Sequence, residues 1–429
     1  MVTSLQRINL YNPLNAPWLV GLGVVVLLPA LLFSPFLPAW APKLGLVGLG
    51  LIYLLRSLAL GRFIGQTPAD IPLFILLATL PLGLWVWPDP LVSLPRTYAF
   101  VANVAIFWAV AGQRNTVWLP WSGWALMLGG LLVGAFLITG IQSTPTKLPF
   151  IERSLYELMP SGVRPFWNEA GFNSNLVGGL TALFLPPIVA LMWLGERWQQ
   201  RDLAKVAAVI VGAIVLLAQS RGALLGLLVA LPLVTLLCNR RWLWVWAVVL
   251  ALVGGWFSYL GPAQVLDSTL SLGEVGGEQT LLGRQELWSR ALYVIQDFPL
   301  TGVGFDMFEP AVKLLYPLFS HSNTGNFKHA HNLHLQTAVE MGLPALVAHW
   351  AFYLTLFYFL LRQARNRRGG VYRTLAIGLL GSLITFQVHG LFEVQTFGPR
   401  PALIIWALFG LMMAVATSQP ARSPAASRR

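Results

Sequence analysis

Twelve apolar stretches follow one another along the chain, each close to the ~20 residues that carry a helix across ~30 Å of hydrocarbon. They lie near 18–37, 44–60, 71–87, 97–113, 119–141, 175–195, 203–219, 222–237, 241–260, 335–361, 374–391 and 401–417. In hydrocarbon every backbone N–H and C=O needs a partner within the chain, so few folds are open to such a sequence. The expectation is an all-α polytopic membrane protein of about twelve spans in a single bundle. Gln219-Ser220-Arg221 separates the seventh stretch from the eighth, which leaves two spans or one re-entrant segment. Composition agrees: 56% of the 429 residues are apolar and 10% are charged, against ~25% charged in a soluble domain. The opening MVTSLQRINLYNPLNAP holds no apolar run, so the first span is expected to be retained. The single Cys238 excludes an internal disulfide and a cysteine metal site.

Basic residues set the orientation. With a cytoplasmic amino terminus, seventeen of the 28 Lys and Arg and only three of the sixteen Asp and Glu fall inside. The positive-inside rule then makes both termini cytoplasmic, with 418–429 a flexible cytoplasmic tail. The basic balance needs no nucleic-acid partner, because no basic stripe with interleaved aromatics lies outside these short loops. Two long connections face outward, 142–175 and 261–332, and loops of this length are commonly functional. The second carries helical periodicity. In LLGRQELWSRALYVIQDF, Leu287, Trp288, Ala291, Leu292, Ile295 and Phe298 recur at helical spacing; in FDMFEPAVKLLYPLF, Phe305, Phe308, Val312, Leu315, Tyr316 and Phe319 do so. Asp306 and Glu309 resemble a capping box. Two amphipathic helices over the outer membrane face are expected.

The polar residues that carry chemistry gather on that outer side. Arg221 stands at the outer end of two spans, where a guanidinium needs a partner or a task, unless it simply snorkels to the interface. Arg284 precedes Leu287, Trp288 and Ala291 by three, four and seven residues and shares their apolar face; Arg290 lies on the polar face. Arg284 is therefore expected to point into the bundle and Arg290 into water. A guanidinium on an apolar face suits a phosphate or a glutamate. Four of six histidines crowd into HSNTGNFKHAHNLHL, at 321, 329, 331 and 334. With no HExxH, no partner cysteine and no acidic residue nearby in sequence, no metal is expected. One neutral histidine acting as general base fits better. His389 and Glu393, four apart, are expected as an ion pair on one helix face, and His349 as a hydrogen-bonded core residue. Asn168, Glu169, Asn173 and Asn175 are placed to line a ligand, although such turns are also ordinary loop chemistry.

HNLHLQTAVEMGLPA, from His331 to Ala345, resembles the signature of the O-antigen ligase and O-antigen polymerase superfamily. His331, Asn332 and Gly342 match its pattern; Ala345 stands where the pattern has Gly, Thr or Tyr. GFNSN (171–175), SRGALLG (220–226) and GRQELWSRALYVIQDFPLTGVGFDMF (283–308) are similar as well. The resemblance implies a GT-C-like bundle in the bacterial inner membrane, with a long, partly helical periplasmic loop between spans nine and ten. It implies transfer of a glycan from undecaprenyl diphosphate to an acceptor hydroxyl, which for the ligase is that of lipid A–core. The transfer would be inverting, without metal or cofactor. Arg221 and Arg284 would hold the diphosphate and His331 would activate the hydroxyl. Asn332, His329 and His389 would join Asn168, Asn173 and Asn175 at the substrates. Polymerase or protein glycosyltransferase activity are the alternatives within the superfamily. Some of its relatives carry a bicarbonate-transport label, but a transporter pairs ionisable groups at the midplane, and here nearly all lie at stretch ends. A non-catalytic assembly factor would leave Arg221, Arg284 and His331 dispensable.

Overall fold

The structure is a computed structural model that describes residues 67–86, 90–114, 118–141, 171–261, 281–319, 327–396 and 401–418. The stretches near 18–37 and 44–60 and most of 142–175 lie outside these residues. The described chain is all-helical, as expected of an all-α polytopic membrane protein, with no strand among the described residues. In order come α1 (Asp70–Val86), α2 (Pro90–Ala111), α3 (Ser122–Thr139), α4 (Ser174–Ala182), α5 (Leu185–Leu194), α6 (Trp198–Leu217) and α7 (Arg221–Asn239). Then follow α8 (Leu243–Leu260), α9 (Leu281–Asp297), α10 (Phe308–Leu315), α11 (Leu333–Arg365), α12 (Val371–Gly390) and α13 (Pro401–Thr417). Among the described residues six helical segments are long and apolar enough to cross a membrane, and α1 and residues 402–417 of α13 are shorter apolar helices.

Local chemistry explains the breaks. The expected span 175–195 divides at Leu183–Phe184, because Pro186 and Pro187 cannot donate back to the previous turn. The expected pair 203–237 is two helices: Gln219 turns at φ +52° and Ser220 caps α7 through its hydroxyl. α11 runs through 33 residues but is broken at Gly342 (φ +81°), just before Pro344. The break frees carbonyls of the preceding turn, and the 299–304 segment docks on α11 there. Val303 N–H donates to Val339 C=O at 2.8 Å, Gly304 N–H to Glu340 C=O at 3.2 Å, and Leu343 N–H to Pro299 C=O at 2.7 Å.

α12 lies at the centre, packed on α5, α7 and α11, while α13 packs on α2 and α11 on α1. Small residues allow the approach: a Cβ on Gly378 would sit 2.4 Å from Pro187 Cα, and one on Gly381 2.6 Å from Val234. Exposed Val206, Val209, Leu250 and Leu252 on α6 and α8 are the lipid-facing surface expected of such a bundle. One end holds the C-termini of α5, α7, α11 and α13. There Arg201 donates to Gly195 C=O (2.6 Å), and Arg373 to Leu237 C=O (2.9 Å) and Ala364 C=O (3.1 Å). Basic side chains suit these helix ends, where carbonyls lack intrahelical partners.

The other end carries a second, small core. Leu287, Ala291 and Val294 of α9 pack on Phe308, Ala311 and Val312 of α10 and on Val339 of α11. The buried stripe of α9 is thus rotated from the expected one, with Leu292 exposed and Val294 inside. α10 stops at Leu315, since the residue before Pro317 disfavours helix, and Phe319 is exposed. The expected capping box does not form. α10 begins one residue later than that box requires, its N-cap Met307 makes no side-chain cap, and Asp306 (φ +66°) instead pairs with Arg96 of α2 at 2.6 Å.

Candidate functional site

At this end α4, α7 and α11 all begin. Each carries its own cap: Asn173 accepts from Asn175 N–H (2.8 Å), Ser220 from Ala223 N–H (3.4 Å), and Asn332 from His334 and Leu335 N–H (3.0 and 3.1 Å). Asn173 and Asn332, both expected at the substrate, thus spend their side-chain oxygens on the backbone. Cross-links join the starts of α4 and α7 to each other and to Glu393. Ser220 Oγ donates to Asn175 Oδ1 at 3.3 Å, and Asn175 Nδ2 donates to Glu393 Oε2 at 3.0 Å. Three helix N-termini therefore bring their partial positive charge to one place.

His331 stands immediately before the cap of α11, at φ +49° and buried. Its Nδ1 lies 3.7 Å from Glu393 Oε1, and His329 Nε2 lies 3.4 Å from the same oxygen. The two imidazoles meet edge to face with centroids 4.3 Å apart. Burial pushes the Glu393 carboxyl up, but the neighbouring His331 and His329 imidazoles and the Val394 N–H outweigh it and hold Glu393 well below the usual carboxylate range. Reasoning from sequence missed this role. The expected His389–Glu393 pair needs a continuous helix, but α12 ends at Gly390 and Glu393 turns to His329 and His331. His389 Nε2 instead lies 3.2 Å from Asn175 C=O, which also accepts from Gln395 Nε2 at 3.0 Å. Gly179 makes that room: a Cβ there would sit 2.1 Å from His389 Nε2.

Arg284, on the buried line of α9, points inward as expected; its Nε is buried with no hydrogen-bond partner among the described residues. Burial and the Arg221 charge push its guanidinium down from the ordinary value, against the pull of Glu393. Arg221, the first residue of α7, is exposed. Arg290 does not point freely into water. It is pinned by Glu286 (3.4 Å) and Pro317 C=O (3.2 Å) over the Phe319 ring, because α10 and the chain after it cover the polar side of α9. His334 stacks on Trp350 (4.3 Å), away from Glu393, and His349 is buried 3.5 Å from Thr337 Oγ1. Asn168 and His321 lie outside the described residues.

His329, His331 and Glu393 offer ligand atoms within 4.8 Å of one another, so the acidic neighbour absent from the local sequence is supplied by the fold. That donor set suits a divalent cation. Two arginine charges stand against it and favour an anion.

Residues 206–350 match the O-antigen ligase family model. That match covers the segment from within α6 to within α11. The resemblance of the chain to the O-antigen ligase and polymerase superfamily holds. An O-antigen ligase of Pseudomonas aeruginosa is 27% identical over 261 residues, 60% of this chain and 56% of that protein. Exopolysaccharide production protein ExoQ of Rhizobium meliloti is 27% identical over 210 residues, 46% of this chain and 45% of that protein. The matches thus span about half the length of these curated relatives. The matched residues include Arg221, Arg284, His331 and Asn332, whereas Asn175, His389 and Glu393 lie outside the match and reach it through the fold.

Proposed function

We propose that the protein is an O-antigen ligase-type glycosyltransferase of the bacterial inner membrane, acting on its periplasmic side without metal or cofactor. Its donor is a glycan on undecaprenyl diphosphate and its acceptor a hydroxyl, that of lipid A–core in the ligase reading. The observation that carries this is His331 beside Glu393, next to Arg284 and three capped helix N-termini. With Nδ1 turned to Glu393, His331 takes the acceptor proton on Nε2 as the acceptor oxygen attacks the anomeric carbon from the face opposite the phosphate. The bond between that carbon and the phosphate oxygen breaks, the configuration inverts, and the lipid diphosphate leaves with the electron pair. Arg284, Arg221 and the helix starts stabilise the charge that develops on it. Asn173, Asn175 and Asn332 stand at the glycan side, with Asn175 also supporting Glu393. The exopolysaccharide relative favours a second reading within the same chemistry, in which a growing polymer end is the acceptor. Purified protein given undecaprenyl diphosphate-linked glycan and lipid A–core in EDTA should form ligated product. Absence of product with lipid A–core, polymer ends and peptide acceptors alike would overturn the transferase reading.

A further inference from the structure

We propose that Gln336 and Glu340, two polar side chains buried in the first turns of α11, are positioning residues that set the His331 backbone. This rests on the reading of His331 as base. Both are only 1% exposed. Gln336 Oε1 accepts from Ala330 N–H at 2.7 Å, and its Nε2 donates to Glu340 Oε1 at 2.7 Å. The Glu340 carboxyl accepts in turn from the backbone N–H of Asp306, the residue paired with Arg96. On the other side of the same residue, the Trp288 indole donates to Ala330 C=O at 2.8 Å.

Ala330 is thus gripped at both its N–H and its C=O, one residue before His331. That grip matters because His331 is not glycine and stands at φ +49°, a conformation that costs roughly 1–2 kcal/mol for an L-residue. Such a residue keeps its geometry only where its surroundings over-determine it. A buried amide and acid are also a costly way to fill a helix interface, since each must find its hydrogen bonds; leucines would fill the space without that demand. What the polar pair adds is direction. Trp288 lies one turn beyond Arg284 on α9, so the peptide that leads into His331 is tied to the helix that carries the arginine. Base and phosphate-binding group are held at one separation through Arg284, Trp288, Ala330 and His331.

The test uses the full-length protein, measuring kcat and the KM for the lipid-linked glycan beside the unfolding temperature. Gln336→Leu should lower kcat by about 10²-fold, the cost of a ~1 Å misplacement, with KM for the lipid carrier little changed. Gln336→Glu alone should also fail, since two acids then face one another. Adding Glu340→Gln should restore kcat: Glu at 336 accepts from Ala330 N–H and from the new amide at 340, whose oxygen accepts from Asp306 N–H. Wild-type kcat in Gln336→Leu would overturn the proposal, as would a swapped pair that regains wild-type unfolding without regaining kcat. If Gln336→Leu does not fold, the swapped pair decides alone. Full transfer by His331→Ala would sink the base reading itself, a result distinguishable from either outcome at 336.

Discussion

Asn175 and Glu393, 218 positions apart in sequence, meet at 3.0 Å, and the other oxygen of that carboxylate faces His329 and His331. A residue at the start of α4 therefore supports the carboxylate that stands beside His331, the proposed base. Glu393→Gln keeps the shape and removes the charge that stabilises a protonated imidazole. It should lower kcat by about 10²-fold, the scale of a general-base contribution, with smaller loss in Asn175→Ala. Equal kcat in Glu393→Gln and wild type would remove Glu393 from the site.

The same carboxylate sets an acid limit on stability. Its folded pKa lies below its unfolded value of about 4.3, so the unfolded chain binds more protons as the pH falls. The stability it contributes is present above about pH 4.3 and is lost as pH falls toward its folded value. Unfolding temperature in detergent should fall less between pH 5 and pH 3 for Glu393→Gln than for wild type. Identical acid profiles would contradict the depressed carboxylate.

Of the four clustered histidines, one should dominate. His331→Ala should lower transfer by about 10² or more while carrier binding survives through the arginines. His334→Ala should cost far less, since that ring stacks on Trp350. His329→Ala should fall between, because its ring packs on His331 and shares Glu393. Lethality of His389→Ala with a mild His331→Ala would move the base to the end of α12.

Arg284 and Arg290 lie on one helix with different surroundings. Arg284→Ala should cost about 10²-fold in kcat, the scale of one lost oxyanion donor, and Lys at 284 should rescue poorly because it lacks the bidentate fork. Arg290→Ala should cost about 1 kcal/mol of stability or less through its ring contact and half-buried ion pair, with kcat little changed. Parallel losses of kcat in both variants would show that facing does not matter.

Orientation is open to direct chemistry. In a Cys238→Ala background, Lys313→Cys on the exposed side of α10 should react with an impermeant maleimide on intact cells. Arg367→Cys, at the opposite end of the bundle, should react only after permeabilisation. The reverse pattern would turn the site to the cytoplasm.

Helices were legible because hydrocarbon demands them and because each stretch is local. The line Arg284–Leu287–Ala291 was legible for the same reason. His331 could be read from its place before a span, although its left-handed backbone could not. Glu393 could not be read as its partner, because the contact depends on where α12 stops and on a return of the chain across some sixty residues. Asp306 misled for a related cause: the spacing of a cap is local, but α10 begins where Phe308 and Val312 reach the small core, and this left the carboxylate to Arg96. Gln336 and Glu340 sit at core positions of α11, where an amide and an acid carry no sequence signal for the peptide they grip.

The break in α11 also bears on how this chain tolerates change across its relatives. A Cβ on Gly342 would sit 2.2 Å from Leu300 C=O, and one on Gly302 2.5 Å from Val339 C=O. Backbone stands on both sides, so no rotamer relieves either contact. These glycines are not among the proposed reacting groups, yet a side chain at either position would collide with backbone that cannot step aside. Invariance in such a protein therefore marks two populations, one kept for chemistry and one for closeness, and an alignment alone would not tell them apart.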